Sequence, residues 1–584
     1  MNDYRDADLL VERRVEDLLA RMTVAEKAAL MFQPSTQPGS GAGEASARAA
    51  AEEDIVRRGM THMNVLGGED SVAVARWHNT IQEMAESTRL GIPISLSSDP
   101  RHGFRDNPFT GQALNSLSRW PETTGIAAIG SVDAAREYGD VVRREFLAMG
   151  IRVYLGPMAD IFSEPRWSRG FGTWGEDPGR VSQLTVAFIE GLRGGPDLGA
   201  HSVAAVVKHF PGGGPQLAGD DAHDPRYTEQ VYPGGRRELH LRPFVDAFDA
   251  GVTQVMTYYA KPVGTDWPEV GFAFNEPVVR DILRRRLGFD GIVVTDWNVL
   301  ESTLIAGRQF GPNGWGLEDR TPIERAAIAV EAGVDQFGGD RNPALLEELV
   351  DAGRLTEARL DESVRRLLRE KFRLGLFERR RVDPERTREI CGSAPLTEAG
   401  ERAQRASLVL LSHRGQLPIA PTSRLFLDGL DGAGIPNDIV TQPDLADAIV
   451  VRRDCPFEPG RGSMADFFRG GTLAFSDAEV AALRAYSSHA PVYVVVFMER
   501  PAIVEPLLGF AAAVVADFGA SDRAVLDALL GRVGFGGVLP FDVPSSMAAV
   551  EASREDVPFD TAEPSFRAGF GLRVDAGDGT TARG

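Results

Sequence analysis

The sequence predicts an α/β protein in two parts, an N-terminal (β/α)8-type barrel followed by a C-terminal α/β sandwich domain. Three observations carry that expectation. The chain has 584 residues, and single hydrophobic cores stop growing at roughly 250–300 residues. Short apolar runs alternate with longer helical patterns, the mark of parallel strands joined by helical crossovers. Each run also ends in a polar or glycine-rich turn, as strands do when they deliver functional groups to the C-terminal mouth of a barrel.

The elements follow in order. Val15–Met31 reads as helical, with Thr23 and Glu26 forming a capping box for its second half. After a Gly/Ala-rich stretch (38–50) come the runs His62–Gly67, Ile92–Asp99, Arg152–Asp160, Val203–His209, Val252–Tyr259, Gly291–Trp297 and Val334–Gly339. Their ends carry Asp99, Asp160, Lys208, His209, Tyr258, Tyr259, Asp296 and Trp297, groups that core strands have no structural need for. The helix Asp361–Leu374 buries Val364, Leu367, Leu368 and Phe372 and stops at Gly375, closing a barrel domain over 1–376. The Arg- and Glu-rich stretch 377–395 has little periodicity and reads as a linker. Over 396–584, the runs Leu408–Leu411, Arg424–Leu427, Ala448–Val451, Val492–Phe497, Ala513–Phe518 and Val538–Val543 are separated by helical patterns such as Asp477–Ser487 and Ser521–Leu530. These predict a second, layered α/β domain.

Composition narrows the function. Acidic residues outnumber basic ones, 84 to 63, for a net charge of −21. That balance argues against nucleic acid and anionic membrane as partners, because both need a basic footprint. Cys391 and Cys455 can build no disulfide framework and have no metal-ligand spacing. The charged N-terminus lacks the apolar core of a signal peptide, and no run approaches the roughly 20 apolar residues that span a bilayer. The expected compartment is the cytoplasm, and a homo-oligomer is compatible with the sequence. Only Lys27, Lys208, Lys261 and Lys371 are lysines, so each is a candidate for a place where a compact charge is wanted.

Four stretches carry chemistry. In Phe289–Trp297 (FDGIVVTDW) a carboxylate follows a β-branched strand and precedes an aromatic platform. Carboxylates bind sugar hydroxyls or attack the anomeric carbon, although a strand-end Asp can also cap a helix. Lys208–Gly214 (KHFPGGG) puts two polar side chains before a glycine loop that would let backbone approach a ligand. It lacks the P-loop order, and its lysine precedes the glycines. Glu164–Pro178 holds two arginines, two tryptophans and three acids suited to polyhydroxyl recognition, and Asp99–Gly103 (DPRHG) offers a hydroxyl clamp or a turn.

Together and in this order, these motifs resemble glycoside hydrolase family 3. The opening helix from Arg14, the helix Val364–Phe377, the start of the second domain at Ala406–Leu417 and the C-terminal segments Gly536–Pro544 and Phe570–Leu572 are similar to that family as well. The resemblance implies a retaining, exo-acting β-glycosidase of β-glucosidase type that removes terminal β-D-glucosyl residues from small β-glycosides or oligosaccharides. It implies Asp296 as nucleophile, Asp99, Arg169, Lys208, His209 and Tyr259 as hydroxyl ligands, and Trp297 lining the subsite. Arg169 and Lys208 would keep Asp296 ionised. Two carboxyl groups suffice for the chemistry, so no metal or cofactor is expected.

The resemblance leaves the acid/base open. Its β-glucosidase-like branch uses a Glu from the second domain, for which Glu458 in Asp454–Pro459 (DCPFEP) is the counterpart, one residue tighter in spacing. Its β-N-acetylglucosaminidase branch uses an Asp-x-His pair, which Asp221 and His223 are similar to, although Gly213 replaces the usual His and two extra residues intervene. β-Xylosidase or β-N-acetylglucosaminidase activity on the same scaffold is the alternative, and a catalytically silent carbohydrate-binding protein is the reading from a different class.

Overall fold

All seven expected barrel runs are parallel strands: His62–Val65, Ser95–Ser98, Val153–Tyr154, Ala204–Phe210, Gln254–Thr257, Ile292–Val294 and Phe337–Gly338. The computed structural model describes residues 3–39, 43–106, 116–305, 308–461 and 467–577. An eighth strand, which the sequence does not announce, lies at Phe32–Gln33 and Ser35–Thr36 on either side of Pro34. It pairs with Phe337–Gly338 on one side and His62–Val65 on the other. A bridge from Val294 to Gln336 closes the ring. Proline and polar side chains hide this strand from a search for apolar alternation. Its Gln33 is buried and donates to Ser97 Oγ at 2.7 Å inside the barrel.

The longest of the barrel strands, Ala204–Phe210, is buried at every position, as expected where helices cover one face and the barrel interior the other. The helix Glu357–Arg373 starts from Thr356, whose hydroxyl accepts the Arg359 N–H, and packs Leu360, Val364, Leu367, Leu368 and Phe372 inward. From the same helix the buried Lys371 donates to Thr61 O, Pro93 O and Ser95 Oγ at 2.8–3.0 Å. Burial holds this ammonium well below its ordinary pKa. One of the four lysines is thus a strand tie rather than a ligand group.

The expected linker holds a helix, Pro384–Ile390, capped by Asp383 and anchored by Thr387 Oγ1 on Ala148 O at 2.6 Å. Of its residues only Thr387 is buried, so it carries no apolar stripe to read. The second sheet has Leu425–Asp428, Ala448–Asp454, Val492–Phe497 and Ala513–Asp517 in parallel, with Val409–His413 antiparallel at the edge.

The run Val538–Val543 lies outside that sheet, contrary to expectation. Val538 N donates to Ala128 O, Glu176 N to Pro540 O and Asp542 N to Glu176 Oε2, each at 2.9 Å. Pro540 has no N–H to give a ladder, and the segment instead straps the second domain to a barrel loop.

Candidate active site

The strand ends converge on one pocket of about 200 Å3. Asp99, Arg169, Lys208, Tyr259, Asp296 and Trp297 all line it. Lys208 Nζ meets Asp99 Oδ1 at 3.0 Å, joining the ends of two strands that flank Val153–Tyr154. A cation and a carboxylate side by side offer a donor and an acceptor to adjacent sugar hydroxyls.

His209 stands behind this layer, fully buried. Its Nε2 receives a hydrogen bond from Arg169 Nη2 at 2.9 Å, and guanidinium can only donate. The proton of the neutral ring therefore resides on Nδ1, which donates to Asp160 Oδ2 at 2.9 Å. Burial, with the Arg169 charge beside it, holds the imidazole well below its ordinary pKa and keeps it neutral. The Asp160 carboxylate also accepts the backbone N–H groups of His209 (3.1 Å) and Gly213 (2.5 Å). Burial pushes this carboxyl up to about 6, against those N–H groups.

The same contacts revise the role of the glycine loop. The backbone of Gly212, Gly213 and Gly214 approaches the protein itself: a Cβ on Gly213 would lie 3.2 Å from the Trp167 and Tyr258 rings, and one on Gly214 1.9 Å from Ile161 O. The loop 164–178 is also mostly scaffold. Trp167 and Trp174 are buried, Arg166 pairs with Glu164 at 2.8 Å, and Asp177 caps a helix. Glu176 accepts N–H groups of the second domain. Within that loop Arg169, Phe171, Gly172 and Trp174 reach the pocket. Packing the loop against two domains uses up most of the charged groups that the sequence offers for sugar recognition.

Asp296 follows Ile292–Val294. Its Oδ1 accepts the Trp297 N–H at 2.9 Å, whereas Oδ2 is buried, accepts no hydrogen bond among the described residues and lies 3.9 Å from His209 Nε2. Tyr259 donates its hydroxyl to Trp297 O at 2.8 Å, and Trp297 Nε1 donates to Ser35 Oγ at 3.3 Å. Gly338 leaves room for the Trp297 ring, since a Cβ there would lie 2.7 Å from it. One carboxylate oxygen is oriented by a backbone N–H and the other has no hydrogen-bond partner among the described residues.

The two acid/base candidates are placed differently. His223 lines the pocket, its Nδ1 2.6 Å from Asp221 Oδ1, its ring edge-on to Tyr259 and stacked on Phe468 from the second domain. Although burial opposes it, the neighbouring His223 and Arg169 hold the Asp221 carboxyl well below the usual range. Glu458 is not among the lining residues. Its side chain is 47% exposed, accepts the Thr472 N–H at 3.2 Å and pairs with Arg461 at 3.2 Å. Arg461 also grips Asp220, next to Asp221, through two contacts of 3.1 and 3.2 Å. Both candidates therefore belong to one edge of the mouth, His223 within the wall and Glu458 at the rim.

Several wall residues carry no signal in the sequence. Phe310, Phe467 and Phe468 line the pocket, as do Glu122 and Arg105, whose guanidinium lies 5.6 Å from the centre of the Phe467 ring. Arg105 pairs with the buried Glu499 of the second domain and gives its backbone N–H to Glu122 Oε1 at 2.8 Å. The sequence marks Asp160 as a strand-end acid, but not its service to His209. Nothing local marks the others, because loops and the second domain bring them in.

The model of the glycosyl hydrolase family 3 N-terminal domain matches residues 23–370. A protein described as probable β-glucosidase C of Aspergillus flavus is 42% identical over 97% of this chain and 91% of its own. A periplasmic β-glucosidase/β-xylosidase of Dickeya chrysanthemi is 37% identical over 98% and 91%. Among solved structures, a β-glucosidase of Erythrobacter marinus superposes with a TM-score of 0.80 at 22% identity, over 98% of this chain and 84% of that one. A β-glucosidase of Listeria innocua in complex with glucose gives 0.75 at 23% identity, over 96% and 83%.

Proposed function

Since the chain belongs to glycosyl hydrolase family 3, we propose that this glycoside hydrolase is a retaining, exo-acting β-glucosidase with Asp296 as nucleophile. The observation that carries the reading is the bare, buried Oδ2 of Asp296 in a pocket that also presents Asp99–Lys208 and the Arg169–His209 pair. The Asp296 carboxylate attacks the anomeric carbon as the bond to the aglycone oxygen breaks, and an acid delivers a proton to that oxygen. Water then attacks the glycosyl ester, gives its proton to the conjugate base and releases Asp296 with the configuration retained. The Trp297 N–H fixes the carboxylate, and the neutral His209 adds no competing charge beside it.

Two assignments of the acid follow. In the first it is Glu458, the carboxyl that the second domain brings to the rim, which reaches the substrate after leaving Arg461. The second, favoured by the place of His223 in the pocket wall, gives the proton to His223 held by Asp221. Azide rescue of Glu458→Ala on a substrate with a good leaving group supports the first, and the same rescue confined to His223→Ala supports the second. Incubation with a 2-deoxy-2-fluoro-β-glucoside should label the peptide containing Asp296. An enzyme that turns over aryl β-glucosides yet forms no such adduct would overturn the covalent mechanism.

A further inference from the structure

Arg500 lies just beyond the strand Val492–Phe497 and is 0% exposed. That strand pairs in parallel with Ala448–Asp454, the strand that leads to Glu458, so both residues stand at the same end of the second sheet. Burying a guanidinium is costly unless its donors are met. Arg500 spends them on backbone carbonyls. Its Nη2 donates to Pro456 O at 2.6 Å and Thr472 O at 3.3 Å, and its Nη1 to Gly471 O at 2.9 Å and, across the domain boundary, to Arg166 O at 3.4 Å. One planar fork thus ties the backbone entering Glu458 to the backbone running beside it, a geometry that the point charge of a lysine does not reproduce.

The peptide between Gly471 and Thr472 links this fork to the carboxyl. Its carbonyl accepts from Arg500, and its N–H donates to Glu458 Oε1 at 3.2 Å. A cation on the carbonyl side polarises the peptide and strengthens its N–H toward a carboxylate. Glu458 N donates to Gly470 O at 3.0 Å, and a Cβ on Gly471, at φ +80°, would lie 2.6 Å from Glu458 Cδ. Glycine there lets the carboxyl lie against the backbone that Arg500 holds. We propose that Arg500 is a positioning residue for proton donation, setting through the Gly471–Thr472 peptide where Glu458 stands at the rim of the pocket. The inference rests on the β-glucosidase reading with Glu458 as the acid, and it names the group that places that acid. Without the fork, Glu458 meets the aglycone oxygen less often, and the loss falls on leaving groups that need a proton.

The test measures kcat/KM on phenyl β-D-glucopyranoside and on 2,4-dinitrophenyl β-D-glucopyranoside, whose leaving group departs without a proton. Arg500→Met should lose at least about tenfold more on the phenyl than on the dinitrophenyl glucoside, and Arg500→Lys at least about threefold more. A lesion that only removes folded enzyme scales both substrates alike, so the imbalance separates positioning from structure, and Arg500→Lys decides if Arg500→Met does not fold. Glu458→Ala supplies the reference imbalance. An imbalance below about threefold in each folded Arg500 variant, beside a large one in Glu458→Ala, overturns the inference and leaves the acid assignment standing. No imbalance in Glu458→Ala overturns that assignment and the inference with it. Absence of wild-type turnover on the dinitrophenyl glucoside overturns the glucosidase reading, and both fall with it.

Discussion

Replacing Asp160 with Asn tests whether the inner layer of the site works by fixing a histidine tautomer. The native carboxylate accepts from His209 N, His209 Nδ1 and Gly213 N, so it faces N–H donors on both oxygens. Asparagine keeps one acceptor and presents an NH2 group on the other side. If its oxygen stays with Gly213, the NH2 faces His209 Nδ1–H and favours the opposite tautomer, whose Nε2–H then opposes Arg169. If its oxygen stays with His209, the buried Gly213 N–H loses its acceptor. Either way a buried donor is left unmet, at a cost of about 1–3 kcal/mol. Where that cost falls on the Arg169–His209 pair during catalysis, it corresponds to about 5- to 150-fold in kcat/KM. Steady-state kinetics on an aryl β-glucoside, alongside thermal unfolding, separates the two cases: a loss in kcat/KM with Tm nearly unchanged assigns the cost to the site. Wild-type kcat/KM and Tm together would refute the tautomer argument.

Other outcomes follow from the same geometry. Burial pushes Glu122 up to about 7, above its unfolded value of 4.5, so the wild type gains stability as pH falls from 7 toward 4.5 and carries a cost above 7. Glu122→Gln keeps the acceptor for Arg105 N and should remove that cost, stabilising the protein by on the order of 3 kcal/mol at about pH 9 and by little below about pH 4.5; a Tm difference from wild type that does not grow with pH would contradict it. Lys208→Met leaves Asp99 without its cation and should cost about 2–5 kcal/mol in transition-state binding, read as kcat/KM; a change under about threefold would place the pair outside substrate contact. Gly338→Ala puts a Cβ 2.7 Å from the Trp297 ring and 2.8 Å from Thr295 O, so it should cost about 1–3 kcal/mol in stability through overpacking and lower kcat/KM, checked by denaturant unfolding and kinetics. Arg105→Ala leaves the buried Glu499 with the more distant Arg469 at 3.7 Å and the charge of Arg500, so it should destabilise the protein by about 3–5 kcal/mol, visible as a lower denaturant midpoint.

Seven barrel strands and the candidate carboxylate Asp296 are legible in the sequence because their signals are local. An apolar run reports burial, and a polar residue at its end reports the mouth of the barrel. Asp296, Lys208 and Tyr259 each follow such a run, and the order of the motifs along the chain identifies the family. The strand at Phe32–Thr36 is not legible, since its place is secured by partners on both sides rather than by its own composition. The same holds for the helix Pro384–Ile390 and for the strap at Val538–Val543, whose hydrogen bonds go to distant backbone.

What the tertiary structure alone decided is which of the many polar groups are spent on the protein and which remain for substrate. Asp160, Glu164 and Glu176 are all acids beside the mouth, yet each is consumed by N–H groups or a guanidinium close in space. Asp296 keeps one oxygen bare. Likewise, His223 and Glu458 both stand out as sequence motifs, and only packing of the second domain puts one in the wall and the other at the rim. Residue type sets what a side chain can donate or accept. Whether that capacity is already satisfied depends on neighbours from far along the chain, and this is the reason sequence could name a candidate nucleophile while the surroundings that suit it to that role had to come from the fold.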